Sequence, residues 1–359
     1  ARAIEIFEVA SKAIRKNVFL VIVPFVSMGF FCAVITVWCI ATAYIATAGE
    51  FSLKDLNQTI SLAPSEAIVQ VEDFASWSYT NVFVIYMFFG LLWILNFLNA
   101  CTVLTTSGTI LRWFWADHVA EDKNLHDPMP ILRSFYVTLR YHTGTAAFGG
   151  LVLAFIQFIR YVAAYLQRRM SSLQKDNKAF RILCCAFQCF LACVQKCIEF
   201  VSRNSLIWCA MYGTSFCTST RKAFFTITSN IAQVALVTFL GDIIQRFGQL
   251  LITLCAGFSC WLVIDRDPKY GFGGESQLNS VMLPVLVTMF LAWFISAEVL
   301  SVYDITVDTI LLSFCQDKRL KRYKENYHER SPAAVSGFMK KHKLKDKRMI
   351  RQASLSTFY

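Results

Sequence analysis

Charged residues are scarce in this chain. Asp, Glu, Lys and Arg make up 16% of its 359 residues, against about 25% in soluble domains. The shortfall lies in long runs with no charge at all, which excludes an ordinary soluble globule. Histidine is scarce too. The five are His118, His126, His142, His328 and His342, none at the middle of an apolar run, and neither HExxH nor CxxC occurs. An embedded enzyme, for instance a lipid-modifying one, would need a metal cluster or a paired acid and base, and these patterns do not supply one. The 13 cysteines avoid 49–80 and 265–277, the stretches read below as outer loops. A disulfide framework would place them there, so we read the thiols as intramembrane or cytosolic and reduced. No secretory signal opens the chain, and Ala1 stands where an initiator Met would be, so we expect part of a longer protein.

What the chain has in quantity is apolar sequence, 56% hydrophobic and 15% aromatic. The run from Val281 to Phe314 organises the rest. It has no Gly and exceeds the ~20 apolar residues that cross a bilayer as a helix. It also holds Glu298, Asp304 and Asp308, and the two aspartates share a helix face. A carboxylate at that depth turns to the bundle interior, a watery cavity or the interface. Lys318, Arg319, Lys321, Arg322 and Lys324 follow at once and mark this end as cytoplasmic. Residues 315–359 carry 13 Lys/Arg against 4 Asp/Glu, a net of +9 out of +11. Beside a membrane helix such a tail suits the inner leaflet, and nucleic acid is not the expected partner.

The expected fold class is all-α, a polytopic transmembrane helical bundle with interfacial amphipathic helices. Residues 1–17 include an amphipathic cytoplasmic helix, with Ile6, Val9, Ala10, Ala13 and Ile14 at helical spacing and Lys12, Arg15 and Lys16 between them. The bundle occupies 18–314 and the tail 315–359. Spans are expected over 18–46, 82–111 and 144–166. The acidic loop 49–80 is read as outside, and it carries the sequon Asn57-Gln58-Thr59, so Asn57 is a glycosylation candidate. Gly144 to Gly150 is rich in small residues. It precedes no Lys-Ser/Thr and follows no strand, so close helix packing is favoured over a phosphate loop. Arg160, inside the third span, needs a partner or a polar cavity.

Cys185, Cys189, Cys193 and Cys197 recur every four residues along 179–201, with Cys184 beside them. A zinc site, lipidated thiols and a small-residue packing stripe all compete, and packing is the simplest. Residues 204–229 read as broken or interfacial helix. Residues 247–264 read as a span, entered by the segment before it from the cytoplasmic side.

Several segments together resemble the choline transporter-like family of solute carriers. They are Arg140-Tyr141-His142-Thr143-Gly144-Thr145-Ala146-Ala147-Phe148-Gly149, Met211-Tyr212-Gly213-Thr214-Ser215-Phe216-Cys217 with Lys222-Ala223-Phe224, and Tyr303-Asp304 with Val307-Asp308-Thr309. The stretch Val194-Gln195-Lys196-Cys197-Ile198-Glu199 with Arg203-Asn204 adds to them. The resemblance implies the last six spans of a longer transporter, with the Cys-rich segment as one span and the N-terminal half missing. It implies choline or a related small organic cation as partner, no cofactor, and a plasma or organelle membrane.

A quaternary ammonium is recognised by aromatic faces, each worth ~0.5–2 kcal/mol, often with a carboxylate nearby. Tyr86 and Trp93, seven apart on one face, and Trp293, Glu298 and Tyr303 are the candidates. Packing or an interfacial belt accounts for any single ring, whereas lipid-facing packing does not explain Glu298. Arg160 or Arg246 could pair with it. Asp304 and Asp308 are expected at a cytoplasmic gate or in ion pairs. A channel or a scaffold is the other reading, and saturable choline transport would separate a carrier from both.

Overall fold

The hydrocarbon core offers the backbone no hydrogen-bond partners, so a spanning segment must satisfy its own N–H and C=O groups as a helix. The computed structural model follows that requirement. It describes residues 2–48, 79–115, 129–169, 178–266 and 280–323, and every regular element within them is helical. In order these are α1 (Arg2–Lys16), a 3-10 turn (Val18–Val21), α2 (Ile22–Ala48), α3 (Tyr79–Trp115), α4 (Pro130–Tyr141) and α5 (Thr143–Arg169). Then come α6 (Lys178–Tyr212), α7 (Phe216–Thr228), α8 (Ile231–Arg266) and α9 (Met282–Tyr323). Six stretches are long and apolar enough to cross a membrane: Val18–Ile45 and the long parts of α3, α5, α6, α8 and α9. The Cys-rich segment is among them. The sequon at Asn57, the acidic loop around it, residues 267–279 and the tail beyond Tyr323 lie outside the described residues.

Three boundaries differ from the sequence reading. Residues 204–212 continue the Cys-rich helix α6, and the break comes at Gly213, whose φ of +67° favours a residue without Cβ. Gly241, Asp242, Gln245 and Arg246 do not interrupt α8, because polar side chains leave the helical backbone ladder intact. The last helix runs past Phe314 to Tyr323, and Cys315, Gln316 and Asp317 are buried.

The helices form two compact units, made of residues 1–26, 101–143 and 203–359, and of residues 27–100 and 144–202. The first is built around the second half of α9, where every residue from Asp304 to Asp317 is buried. Helices α1, α7 and α8 pack against α9. The apolar stripe of α1 is covered by protein: Ile6, Val9, Ala10 and Ala13 are buried, and Lys12, Arg15 and Lys16 face outward. An apolar stripe by itself does not distinguish lipid from protein as its cover. The Tyr303 hydroxyl donates to the Phe7 carbonyl at 3.3 Å and the two rings stack at 6.4 Å, so Tyr303 ties α1 to α9.

In the second unit α3 and α5 come close at Gly150. A Cβ there would lie 2.8 Å from the backbone N of Phe97. The small-residue run beginning at Gly144 therefore serves helix packing, with Ala146, Gly149 and Gly150 buried. Trp93 Nε1 donates to the Ala147 carbonyl at 3.0 Å, and Asn96 Nδ2 to Gln157 Oε1 at 2.7 Å.

Candidate functional site

The first unit holds a part-buried ionic cluster. Arg203 of α6 donates through Nη1 to Asp304 Oδ2 at 2.6 Å and to Asp308 Oδ2 at 3.1 Å. The aspartates are four residues apart, so the helical repeat sets them one above the other to meet one guanidinium. Asp242 of α8 lies close enough to act electrostatically on Arg203 and Asp308. At Gly241 an added Cβ would sit 3.5 Å from Asp304 Oδ1, so the glycine lets α8 lie beside that carboxylate. The pairing was half legible in the sequence. Asp304, Asp308 and Arg203 all stand in segments that resemble the family, but nothing local joins residues 101 positions apart.

Glu298 is set apart from this cluster. It is half-buried on a spanning helix, and among the described residues it has no hydrogen-bond or ion-pair partner. It is not paired with Arg246, which is exposed. Arg160 belongs to the second unit and donates to Gln195 Oε1 at 2.8 Å. Gln195 Nε2 in turn donates to Glu199 Oε1 at 2.7 Å, and Lys196 pairs with Glu199 at 3.1 Å. The intramembrane arginine thus finds its partner on α6, through residues that the sequence offered only as part of a family-resembling stretch and not as partners of Arg160. The signal available was the i, i+4 spacing of Gln195 and Glu199.

The candidate aromatics are spread over α3 and α9. Trp293 and Tyr303 each stand five residues from Glu298, about 140° around the helix, so neither shares its face. Trp293 is 38% exposed, and its carbonyl accepts from Gln249 Nε2 at 3.1 Å. Tyr86 is 67% exposed beside Phe83, and Trp93 is hydrogen-bonded to α5. Tyr86 and Trp93 lie in one unit and the α9 residues in the other. On α6 the four regularly spaced cysteines, Cys185, Cys189, Cys193 and Cys197, are all exposed. Among the described residues no group of three or more His, Cys, Asp or Glu is placed to hold a metal ion.

His142 lies between α4 and α5, outside the spans. Its Nδ1 is 3.5 Å from Cys209 Sγ, and burial lowers its pKa from the ordinary histidine value. Burial thus favours the neutral ring in the folded protein. Its contribution to stability is therefore present above the unfolded value of ~6.5 and is lost as pH falls through the depressed folded value. We expect the thermal midpoint to drop on mild acidification, and less steeply in His142→Asn. Identical pH slopes in the two proteins would remove His142 from this role.

Comparison with known proteins bears on the whole arrangement. Residues 1–319 match a family model described as plasma-membrane choline transporter. The chain is 31% identical over 337 residues to choline transporter-like protein 2 of Xenopus laevis, covering 88% of this chain and 47% of that protein. It is 30% identical over 342 residues to choline transporter-like protein 4 of Bos taurus, covering 88% and 48%. With the Homo sapiens choline transporter-like protein 4 the identity is 29% over 342 residues, again covering 88% and 48%. The chain spans about half the length of the curated relatives it matches.

Proposed function

The chain belongs to the choline transporter-like family, a membrane family, and on that premise we propose that it forms part of a carrier for choline or a related amine cation. Alternating access through the helical bundle is the mechanism we assign. The observation that carries the reading is Glu298, a half-buried carboxylate on a spanning helix with no partner among the described residues. A carboxylate that deep attracts a cation more strongly than one in water, because less solvent screens it. In this reading Glu298 lines the cation pathway, and Trp293 and Tyr86, whose rings are partly exposed, are available to a passing ammonium. Trp93 and Tyr303 keep structural roles in it, on the strength of their hydrogen bonds.

Arg203, Asp304 and Asp308 hold the cytoplasmic end of the bundle in this proposal. The basic cluster from Lys318 onward supports that orientation, with the tail in the cytoplasm and the loop bearing Asn57 outside.

Glu298→Gln keeps the shape and removes the charge. We expect choline binding to the full-length protein to weaken about tenfold, ~1.4 kcal/mol, with expression and thermal stability unchanged. The measurements are labelled choline binding and vesicle uptake. Unchanged uptake in a variant that folds normally would take Glu298 out of the pathway.

A further inference from the structure

Helix α7 is amphipathic. It buries Ser219, Ala223 and Thr226 against the protein, with Phe216 and Ile227 toward its two ends. Its outward side carries Phe224 and Phe225, 51% and 54% exposed, beside the exposed Arg221 and Lys222. The 13 residues contain two basic side chains and no acidic one. Arg221 Cζ lies 6.0 Å from the centre of the Phe225 ring, which holds the guanidinium along the aromatic surface. Between them runs an open groove of ≈ 410 Å³, lined also by Phe216, Cys217, Thr220 and Phe224.

The place of α7 in the chain says what covers this face. It is joined at both ends by short connections to helices able to cross the membrane, α6 ending at Tyr212 and α8 starting at Ile231. Its outer side therefore lies at the level where spans leave the hydrocarbon. Helix α4 repeats the pattern. It is followed directly by α5, buries Ser134 and Thr138, and exposes Leu132, Tyr136 and Leu139, with Arg140 over the Tyr141 ring at 5.6 Å. If each span crosses once, α4 and α7 lie on the same side of the membrane as the end of α9 and its basic cluster.

We propose that the outward face of α7 binds an anionic phospholipid, with Arg221 and Lys222 on the phosphate and Phe224 and Phe225 against the upper acyl chains. Rings at headgroup depth beside cations are the arrangement that fits one end of a ligand to water and the other to hydrocarbon.

The test uses the full-length protein in phosphatidylcholine vesicles doped with phosphatidylserine that carries a photoactivatable group high on one acyl chain. Crosslinked peptides are mapped by mass spectrometry. Residues 216–225 should be labelled, and unlabelled phosphatidylserine should compete where phosphatidylcholine does not. A basic residue near anionic lipid contributes roughly fivefold in affinity, so Arg221→Gln with Lys222→Gln should reduce this labelling about thirtyfold. Phe224→Ala with Phe225→Ala should redistribute the crosslinks while circular dichroism stays unchanged. Absence of label on α7, as when the rest of the protein covers it, would overturn the proposal. So would equal competition by phosphatidylcholine or by inorganic phosphate.

Discussion

Arg203→Leu should be the most damaging single change in the first unit, with an expected loss of ~3–5 kcal/mol. The side chains of Asp304 and Asp308 are 11% and 5% exposed, and the one guanidinium meets both. Removing it strands two carboxylates within about one helical turn of each other, away from water. The damage comes from the orphaned charges rather than from a missing attraction. The triple variant Arg203→Leu, Asp304→Asn, Asp308→Asn should therefore recover much of the loss, a non-additivity that marks the three as one unit. Arg203→Lys should fall between, since an ammonium lacks the planar fork of donors. Thermal aggregation midpoints of detergent-solubilised protein would rank the four. A single variant as stable as the unmodified protein, or a triple variant no better than the single, would contradict this account.

Gly150→Ala is expected to be the next largest, in the second unit. The three atoms nearest the new Cβ are all backbone: Phe97 N at 2.8 Å, and Asn96 C and Phe97 Cα at 3.1 Å. A side chain could rotate away, but a helical backbone cannot, so α3 and α5 must separate. Overpacking of this kind costs about 1–3 kcal/mol. Separation also strains the bonds from Trp93 to the Ala147 carbonyl and from Asn96 to Gln157, which lie on either side of the contact. Gly90, on α3, is the internal control. Nothing lies within 4 Å of a Cβ added there. Gly90→Ala should be neutral or stabilise by up to ~1 kcal/mol through helix propensity alone. Equal midpoints for the two alanine variants would show that the close approach at Gly150 contributes nothing.

The sequence by itself determined the helical class, five of the six spans and the family resemblance, and only that resemblance made the Cys-rich segment a sixth. Twenty apolar residues in a row leave the backbone no choice but a helix in hydrocarbon, and a basic cluster beside the last span argues its orientation. These are local properties, carried by composition and period. The small residues leading to Gly150 were readable as a packing surface for the same reason, although their partner at Asn96 and Phe97 was not.

Tertiary structure alone decided what covers each face. The stripe of α1 at Ile6, Val9, Ala10 and Ala13 is the same sequence pattern whether lipid or α9 lies against it, because lipid tails are as apolar as the side chains that replace them. The partners of the intramembrane charges were undecided too. Arg160 takes Gln195, 35 residues away, Arg203 takes Asp304 and Asp308, more than 100 away, and Glu298 has no partner among the described residues. Burying a charge demands a counterpart, and the sequence states that demand wherever a charged residue falls within a span. Which residue meets it depends on how the helices pack, and that is a long-range outcome with no period to read.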